Sequence, residues 1–229
     1  MNAKILEIFR SIQGEGKYVG ARQVFVRFFE CNMHCVWCDT PASIGDGKRE
    51  YKELGLEDAV AQVNALYDNA HSVSITGGEP LLQSDFVKVF SHALHREGKK
   101  IYLDTNGTLP VALAQIIKDI DIIAMDIKLP SSTKQKAFWA QHKEFLKIAS
   151  RKEVFVKAVI SLDTKSEEVL KAATLVAAVD PEILFILQPN YFDMKKGIIE
   201  ECLGHQKSCA KILKDVRILP QVHKFMKLR

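Results

Sequence analysis

Short apolar runs rich in β-branched and aromatic side chains recur along the chain, with amphipathic stretches between them. Unbroken apolar runs of this length read as strands covered on both faces. Apolar residues returning every three or four positions read as helices packed by one face. The pattern places strands over residues 5–9, 24–28, 72–76, 101–104, 122–126, 154–160, 183–187 and 216–219. Helices are expected over 56–67, 84–97, 111–118, 134–148, 166–179 and 198–214. Pro110 opens one helix, where its missing N–H costs no hydrogen bond, and Asp180-Pro181 closes another. An order that is mostly strand then helix is the pattern of βα units around a parallel sheet.

No internal repeat, low-complexity tract or linker divides the chain, so residues 1–229 are expected to form a single domain. The stretch 30–54 is irregular, and its polar, Gly-containing part over 43–52 is expected to be functional or mobile. Parallel strands bring their carboxyl ends to one rim, where ligands of such sheets bind. The unusual residues fall there. Residues 27–38 follow the second strand, Thr76-Gly77-Gly78-Glu79-Pro80 the third, Asp104-Thr105-Asn106-Gly107-Thr108 the fourth, Asp126-Ile127-Lys128 the fifth and Gln188-Pro189-Asn190 a later one.

With 229 residues, 47% of them hydrophobic and 26% charged, the chain can bury a sizeable core. A net charge of +4 is far from the dense Lys/Arg field that binds nucleic acid unaided, so no nucleic-acid partner is expected. Lys211, Lys214, Arg217, Lys224, Lys227 and Arg229 gather late in the chain. They read as a solvated helix face and tail, with a docking surface for an acidic redox protein as the alternative. The longest apolar stretches, 120–125 and 183–187, are too short for a bilayer, and no signal region opens the sequence. No membrane partner is expected, and the location expected is cytoplasmic, where thiols stay reduced and five cysteines are not a disulfide framework. Cys202 and Cys209, seven apart in a helical stretch, read as small buried thiols.

The other three cysteines, Cys31, Cys35 and Cys38, have C-x3-C-x2-C spacing. Three thiolates this close can wrap one corner of a metal centre, either an iron–sulfur cluster or zinc. Zinc would need a fourth ligand, for which His34 or Cys209 is available. Gly77-Gly78-Glu79-Pro80 by itself reads as a tight turn. The two motifs together, with the aromatic Trp37 before the last cysteine, resemble the radical S-adenosylmethionine (SAM) superfamily.

A narrower resemblance spans nearly the whole chain. Phe9-Arg10-Ser11-Ile12-Gln13-Gly14-Glu15-Gly16, Gly20, Phe25-Val26-Arg27, Cys38-Asp39-Thr40 and Leu219-Pro220-Gln221-Val222-His223-Lys224 resemble the 7-carboxy-7-deazaguanine synthases of the queuosine pathway. Two departures are Asp104, where that family often has Glu, and Asp126-Ile127-Lys128, where some members have Ser-Pro-Lys. The resemblance implies a partial TIM-like α/β barrel of mostly parallel strands. It implies that Cys31, Cys35 and Cys38 hold a 4Fe–4S cluster whose open iron binds the methionine end of SAM. Trp37, Cys38, Asp39, Gly78, Glu79, Asp126, Ile127, Lys128, Gln188, Pro189 and Asn190 would contact SAM. Ile12, Gln13, Gly14, Glu15, Arg27, Thr76 and His223 would contact a pterin substrate, with Mg2+ on Thr40. The implied reaction contracts the ring of 6-carboxy-5,6,7,8-tetrahydropterin to 7-carboxy-7-deazaguanine with loss of ammonia. Cluster and SAM carry the chemistry without a catalytic side chain, and a flavodoxin-like electron donor and a homodimer are also implied.

The residue types suit these roles, and each has a plainer reading. Gln13 and Glu15 can bond the N–H and carbonyl edges of a pterin, or simply form a polar hairpin loop. Arg27, in an otherwise apolar strand, needs an anion: the substrate carboxylate, or a protein partner such as Glu15 or Glu30. Thr40 can offer Mg2+ an oxygen or cap a helix, and His223 can be structural. Two other functions are a glycyl-radical-activating enzyme of the same superfamily and a non-catalytic zinc-stabilised binding module.

Overall fold

The computed structural model describes residues 1–45 and 51–228. Residues 46–50, in the segment expected to be functional or mobile, and Arg229 of the basic tail lie outside the described residues. The chain opens with an antiparallel hairpin of β1 (Asn2–Ile12) and β2 (Arg22–Phe28), and β3 (Lys52–Gly55) adds antiparallel to the outer side of β1. From β2 onwards every pairing is parallel, through β4 (Ser72–Gly77), β5 (Ile101–Thr105), β6 (Ile122–Asp126), β7 (Glu153–Ile160), β8 (Phe185–Pro189) and β9 (Val216–Ile218). Among the described residues the result is one open nine-stranded sheet in the order β3-β1-β2-β4-β5-β6-β7-β8-β9. This is the expected α/β class, an incomplete barrel of mostly parallel strands. The connections carry α1 (Leu56–Tyr67), α2 (Ser84–Arg96), α3 (Pro110–Ile116), α4 (Pro130–Thr133), α5 (Trp139–Ala149), α6 (Ser166–Ala177) and α7 (Ile198–Cys209), and α8 (Val222–Met226) ends the chain.

Successive strand residues point to opposite faces, and here the two faces differ in chemistry. Ile101 and Leu103 of β5 join the main core, which includes the buried faces of the helices, whereas Tyr102 and Asp104 face the other way. In β6, Ile123 and Met125 alternate with Ile122, Ala124 and Asp126; in β7, Val156 and Ala158 alternate with Phe155 and Lys157. On the face away from the main core, Tyr102, Ile122, Ala124, Phe155, Leu184 and Ile186 make a smaller apolar layer, against which Tyr18 and Leu219 pack. Farther along the same strands this face turns polar, which a closed hydrophobic core would not tolerate.

Several boundaries differ from the expectation. β1 runs past residue 9 because Arg10, Ser11 and Ile12 keep pairing with β2, which satisfies their backbone groups whatever their side chains. β3 is unanticipated: Lys-Glu-Leu-Gly is too short and polar to signal a strand, and pairing to β1 makes it one. The helix expected from residue 134 starts at Trp139, because Lys134 takes a left-handed conformation (φ 58°) that ends α4. β8 covers 185–189 rather than 183–187, with Ile183 and Leu184 buried just before it. α7 stops at Cys209, so Lys211 and Lys214 are not on its face. Lys214 pairs with Glu182 and Arg217 with Asp215. No described helix is long and apolar enough to cross a membrane.

Candidate active site

The polar part of the inner face lines a cavity of about 320 Å3 at the carboxyl ends of the strands. It gathers residues far apart in sequence: Cys31, Cys35 and Cys38 with Thr40; Ile12, Gln13, Gly14, Glu15, Arg27, Thr76 and His223; Trp37, Asp39, Gly78, Asp126, Lys128, Gln188 and Asn190. Three residues expected to contact SAM do not line it. Glu79 is fully buried, and its carboxylate accepts from Leu81 N–H (3.1 Å), Asn106 N–H (2.8 Å) and the Thr105 hydroxyl (2.9 and 3.0 Å). The Ile127 side chain lies in the main core, and Pro189 ends β8 opposite Ile160.

The glycines before Glu79 also have a reason inside the protein. A Cβ on Gly77, whose φ is +144°, would fall 2.2 Å from the Phe28 carbonyl oxygen, and one on Gly78 would fall 2.2 Å from that of Glu30. The loop after β4 thus packs backbone to backbone against the chain entering the cysteine segment, with Glu79 N–H donating to Glu30 C=O (2.8 Å).

The cysteine segment has little secondary structure and is held by hydrogen bonds to the loops after β4 and β5 and to α4. Asn32 donates to the Thr108 hydroxyl and accepts from the Asn106 amide, both at 2.8 Å. Val36 N–H donates to Thr133 C=O (3.3 Å), and Trp37 Nε1–H donates to the Ser132 carbonyl and hydroxyl oxygens (both 2.9 Å). Met33 plugs the loop into the interior, while Val36 at its tip is 67% exposed. Burial pushes the Cys31 thiol up to about 11 and raises Cys35 and Cys38 likewise; the Lys128 ammonium opposes this at all three. Three part-buried sulfurs beside a fixed cation suit a metal centre that binds thiolates. Neither residue available as a fourth zinc ligand lines the cavity: His34 is outside it and Cys209 is buried in α7. The donor set therefore fits a 4Fe–4S cluster with one iron left open to the cavity.

The β1–β2 connection, which also lines the cavity, is a true hairpin loop, closed by Gln13 N–H to Ala21 C=O and Gly20 N–H to Gln13 C=O, both 2.8 Å. The Gln13 amide is engaged at both ends, donating to Gln23 Oε1 (3.0 Å) and accepting from Glu15 N–H (3.1 Å). The tail seals this corner. Val222 N–H donates to Gly14 C=O (2.9 Å), and Gln221 donates to Glu15 (2.8 Å) and Asp39 (3.1 Å). A Cβ on Gly14 would meet the His223 ring at 2.2 Å, so glycine here admits the tail. Glu15, Asp39 and His223 each present a ligand atom within 4.8 Å of the other two. Burial alone would raise the Asp39 carboxyl, but His223, Lys224 and Thr40 outweigh it and hold the group well below the usual range. The Thr40 hydroxyl donates to Asp39 Oδ1 (3.0 Å) and does not cap the short turn that follows.

Arg27 lines the cavity as expected, but its protein partner is neither Glu15 nor Glu30. Its Nε donates to Glu7 Oε1 at 3.0 Å, the two residues being paired across β1 and β2, and the guanidinium stands 5.7 Å from the Phe9 ring centre. Sequence reasoning missed Lys157, whose Nζ lies 2.6 Å from Glu15, 3.5 Å from Asp104 and 4.0 Å from Asp126. The signal was present: like Arg27, it is a cation inside an apolar strand. Glu7 was missed too, with nothing local to mark it, and Gln221 and Lys224, although part of the tail motif that carried the resemblance, were given no site role. Buried Asp126 Oδ1 and Gln188 Oε1 have no hydrogen-bond partner among the described residues. Both belong to cavity-lining residues, and such orphaned acceptors fit a ligand carrying N–H or O–H donors, as SAM does.

Comparison with known proteins matches residues 26–175 to the Radical SAM superfamily. A 7-carboxy-7-deazaguanine synthase from Geobacter sulfurreducens is 38% identical, the match covering 98% of this chain and 97% of that protein. One from Archaeoglobus fulgidus is 34% identical over the full length of both. The crystal structure of QueE from Escherichia coli superposes with a TM-score of 0.65 at 20% identity, covering 97% of this chain and 95% of that one, a likeness of fold. The cavity, its cysteine triplet and this full-length similarity agree: the chain belongs to the radical SAM superfamily and, within it, to the 7-carboxy-7-deazaguanine synthase family.

Proposed function

We propose that this chain contracts the ring of 6-carboxy-5,6,7,8-tetrahydropterin to 7-carboxy-7-deazaguanine with loss of ammonia, in queuosine or other 7-deazapurine synthesis. The observation carrying this reading is one cavity that holds the cysteine triplet together with Glu15 and Arg27 in a chain similar to such synthases from end to end. Cys31, Cys35 and Cys38 would hold the cluster, and Asp126, Lys128, Gln188 and Asn190 would bind SAM beside it. When bound, this pair supplies the 5′-deoxyadenosyl radical that removes a hydrogen from the substrate.

The side chains bind, orient and exclude water. Arg27 receives the substrate carboxylate, Glu15 accepts from pterin N–H groups, and Thr40 offers Mg2+ an oxygen beside Asp39. The Gln13 amide, engaged within the hairpin, shapes the loop and leaves substrate contact to its backbone and to Ile12 and Gly14. Thr76 donates to Asp104 (3.3 Å) and borders the same space. His223 closes it from the tail. The residues work as one domain in the cytoplasm, as a homodimer reduced by a flavodoxin-like donor.

The test is anaerobic purification, cluster reconstitution and assay with SAM, reductant and the pterin. About four irons per chain, broad visible absorption and formation of 7-carboxy-7-deazaguanine are expected. Cys31→Ala, Cys35→Ala or Cys38→Ala should abolish SAM cleavage, while Cys202→Ala and Cys209→Ala retain it. A colourless zinc protein, or a coloured one that cleaves SAM but leaves the pterin intact, would refute the assignment.

A further inference from the structure

Lys157 sits in the β7 run Val-Phe-Val-Lys-Ala-Val-Ile with a side chain only 8% exposed. Three carboxylates reach it from three separate elements: Glu15 from the hairpin loop, Asp104 from β5 and Asp126 from the end of β6. Water screens little at such depth, so these acids would repel one another strongly without a cation between them. Asp126 has a second cation, Lys128 at 2.8 Å, whereas Glu15 has Lys157 as its one ion-pair partner among the described residues, with Gln221 donating to its other oxygen.

We infer that Lys157 is a positioning residue shared by the two ligand sites, holding Glu15 in place for the substrate and Asp126 in place for SAM. The inference rests on the functional reading above. It assigns Lys157 no proton transfer. Burial would lower its pKa, but Asp104, Glu15 and Asp126 together raise it well above the ordinary lysine value, so it keeps its proton and does not protonate the departing ammonia.

The test uses cluster-loaded full-length protein, with SAM affinity measured by calorimetry and kcat and KM measured with the carboxylated pterin. Lys157→Met should raise the substrate KM at least tenfold and weaken SAM binding at least threefold, with cluster absorption retained. Lys157→Arg, which keeps the charge, should recover much of both. The deciding comparison is Glu15→Gln with Glu15→Gln/Lys157→Met, a double variant that removes both partners of the closest pair and so avoids leaving Glu15 as a stranded charge. If Lys157 acts on the substrate through Glu15, the two should have substrate KM values within about threefold of each other, while the double variant alone loses SAM affinity. A further tenfold rise in KM in the double variant, or unchanged SAM affinity in every Lys157 variant, would overturn the inference. Failure of the functional reading would look different, because wild type itself would then not turn over the pterin.

Discussion

Arg27 illustrates what a single residue contributes. Its Nε donates to Glu7 and its flank rests on Phe9, so the guanidinium is held in place before any ligand arrives; under the proposed function its terminal N–H groups, which show no other hydrogen bond among the described residues, would grip the substrate carboxylate side by side. Lysine keeps the charge but loses the planar fork, and truncating one partner of a desolvated charge pair costs about 2–5 kcal/mol in binding. Turnover should fall severely in Arg27→Ala and measurably in Arg27→Lys, with cluster absorption and SAM binding intact in both. Competition between the carboxylated pterin and an analogue lacking that group gives the sharper measurement. Wild type should discriminate strongly and Arg27→Ala weakly; equal discrimination would leave Arg27 as the internal partner of Glu7 alone.

At the scale of elements, the loops at the carboxyl ends form one interlocked unit. The cysteine segment is bonded to the loop after β5 through Asn32, Asn106 and Thr108, to α4 through Trp37 and Ser132, and to the loop after β4 through Glu30 and Glu79. Gly77 and Gly78 are equally close joints, and Gly77 is the more demanding of the two because a methyl group there meets the Phe28 backbone and its backbone angle also disfavours any side chain. Gly77→Ala should destabilise the apo-protein by on the order of 3 kcal/mol and impair cluster retention as well. Urea unfolding and iron content after gel filtration would check it. A variant of normal stability that binds SAM poorly would instead give Gly77 a ligand-contact role only.

For the whole molecule, the buried acids set the pH dependence of stability. Burial raises the Glu79 carboxyl from 4.5 to about 7, although Asn106, Leu81 and Thr105 all donate to it. Between pH of about 4.5 and about 7 the unfolded chain has released this proton and the folded chain still holds it. Glu79 therefore lowers stability as pH rises through that window, by on the order of 3 kcal/mol, and contributes no further slope above it. Glu15 and Asp39, both lowered, act with the opposite sign at more acidic pH, so the useful quantity is the difference between two proteins. Stability of apo wild type minus that of apo Glu79→Gln should decline from pH 5 to pH 7. A flat difference would place the Glu79 carboxyl near its ordinary value.

The alternation of apolar runs and amphipathic stretches was enough to determine the βα order and the α/β class, because burial on both faces leaves a period that the chain carries locally. The spacing of Cys31, Cys35 and Cys38 and the turn chemistry of Gly77-Gly78 were local too, and so was the anomaly of Arg27 in an apolar strand. Lys157 carried the same mark and could have been found by the same argument. Other features exist only between segments. Strand β3 is made by the edge of β1, and the Arg27 partner, Glu7, is fixed by the register of β1 on β2. The seating of Gln221, His223 and Lys224 against Gly14, Glu15 and Asp39 joins residues some two hundred positions apart. Only the tertiary structure could turn the Glu79 carboxylate away from the cavity, since its direction depends on which donors the loop after β5 brings to it. Periodicity and spacing are properties of neighbours in the chain; register, buried charge pairing and the aim of a side chain depend on neighbours in space.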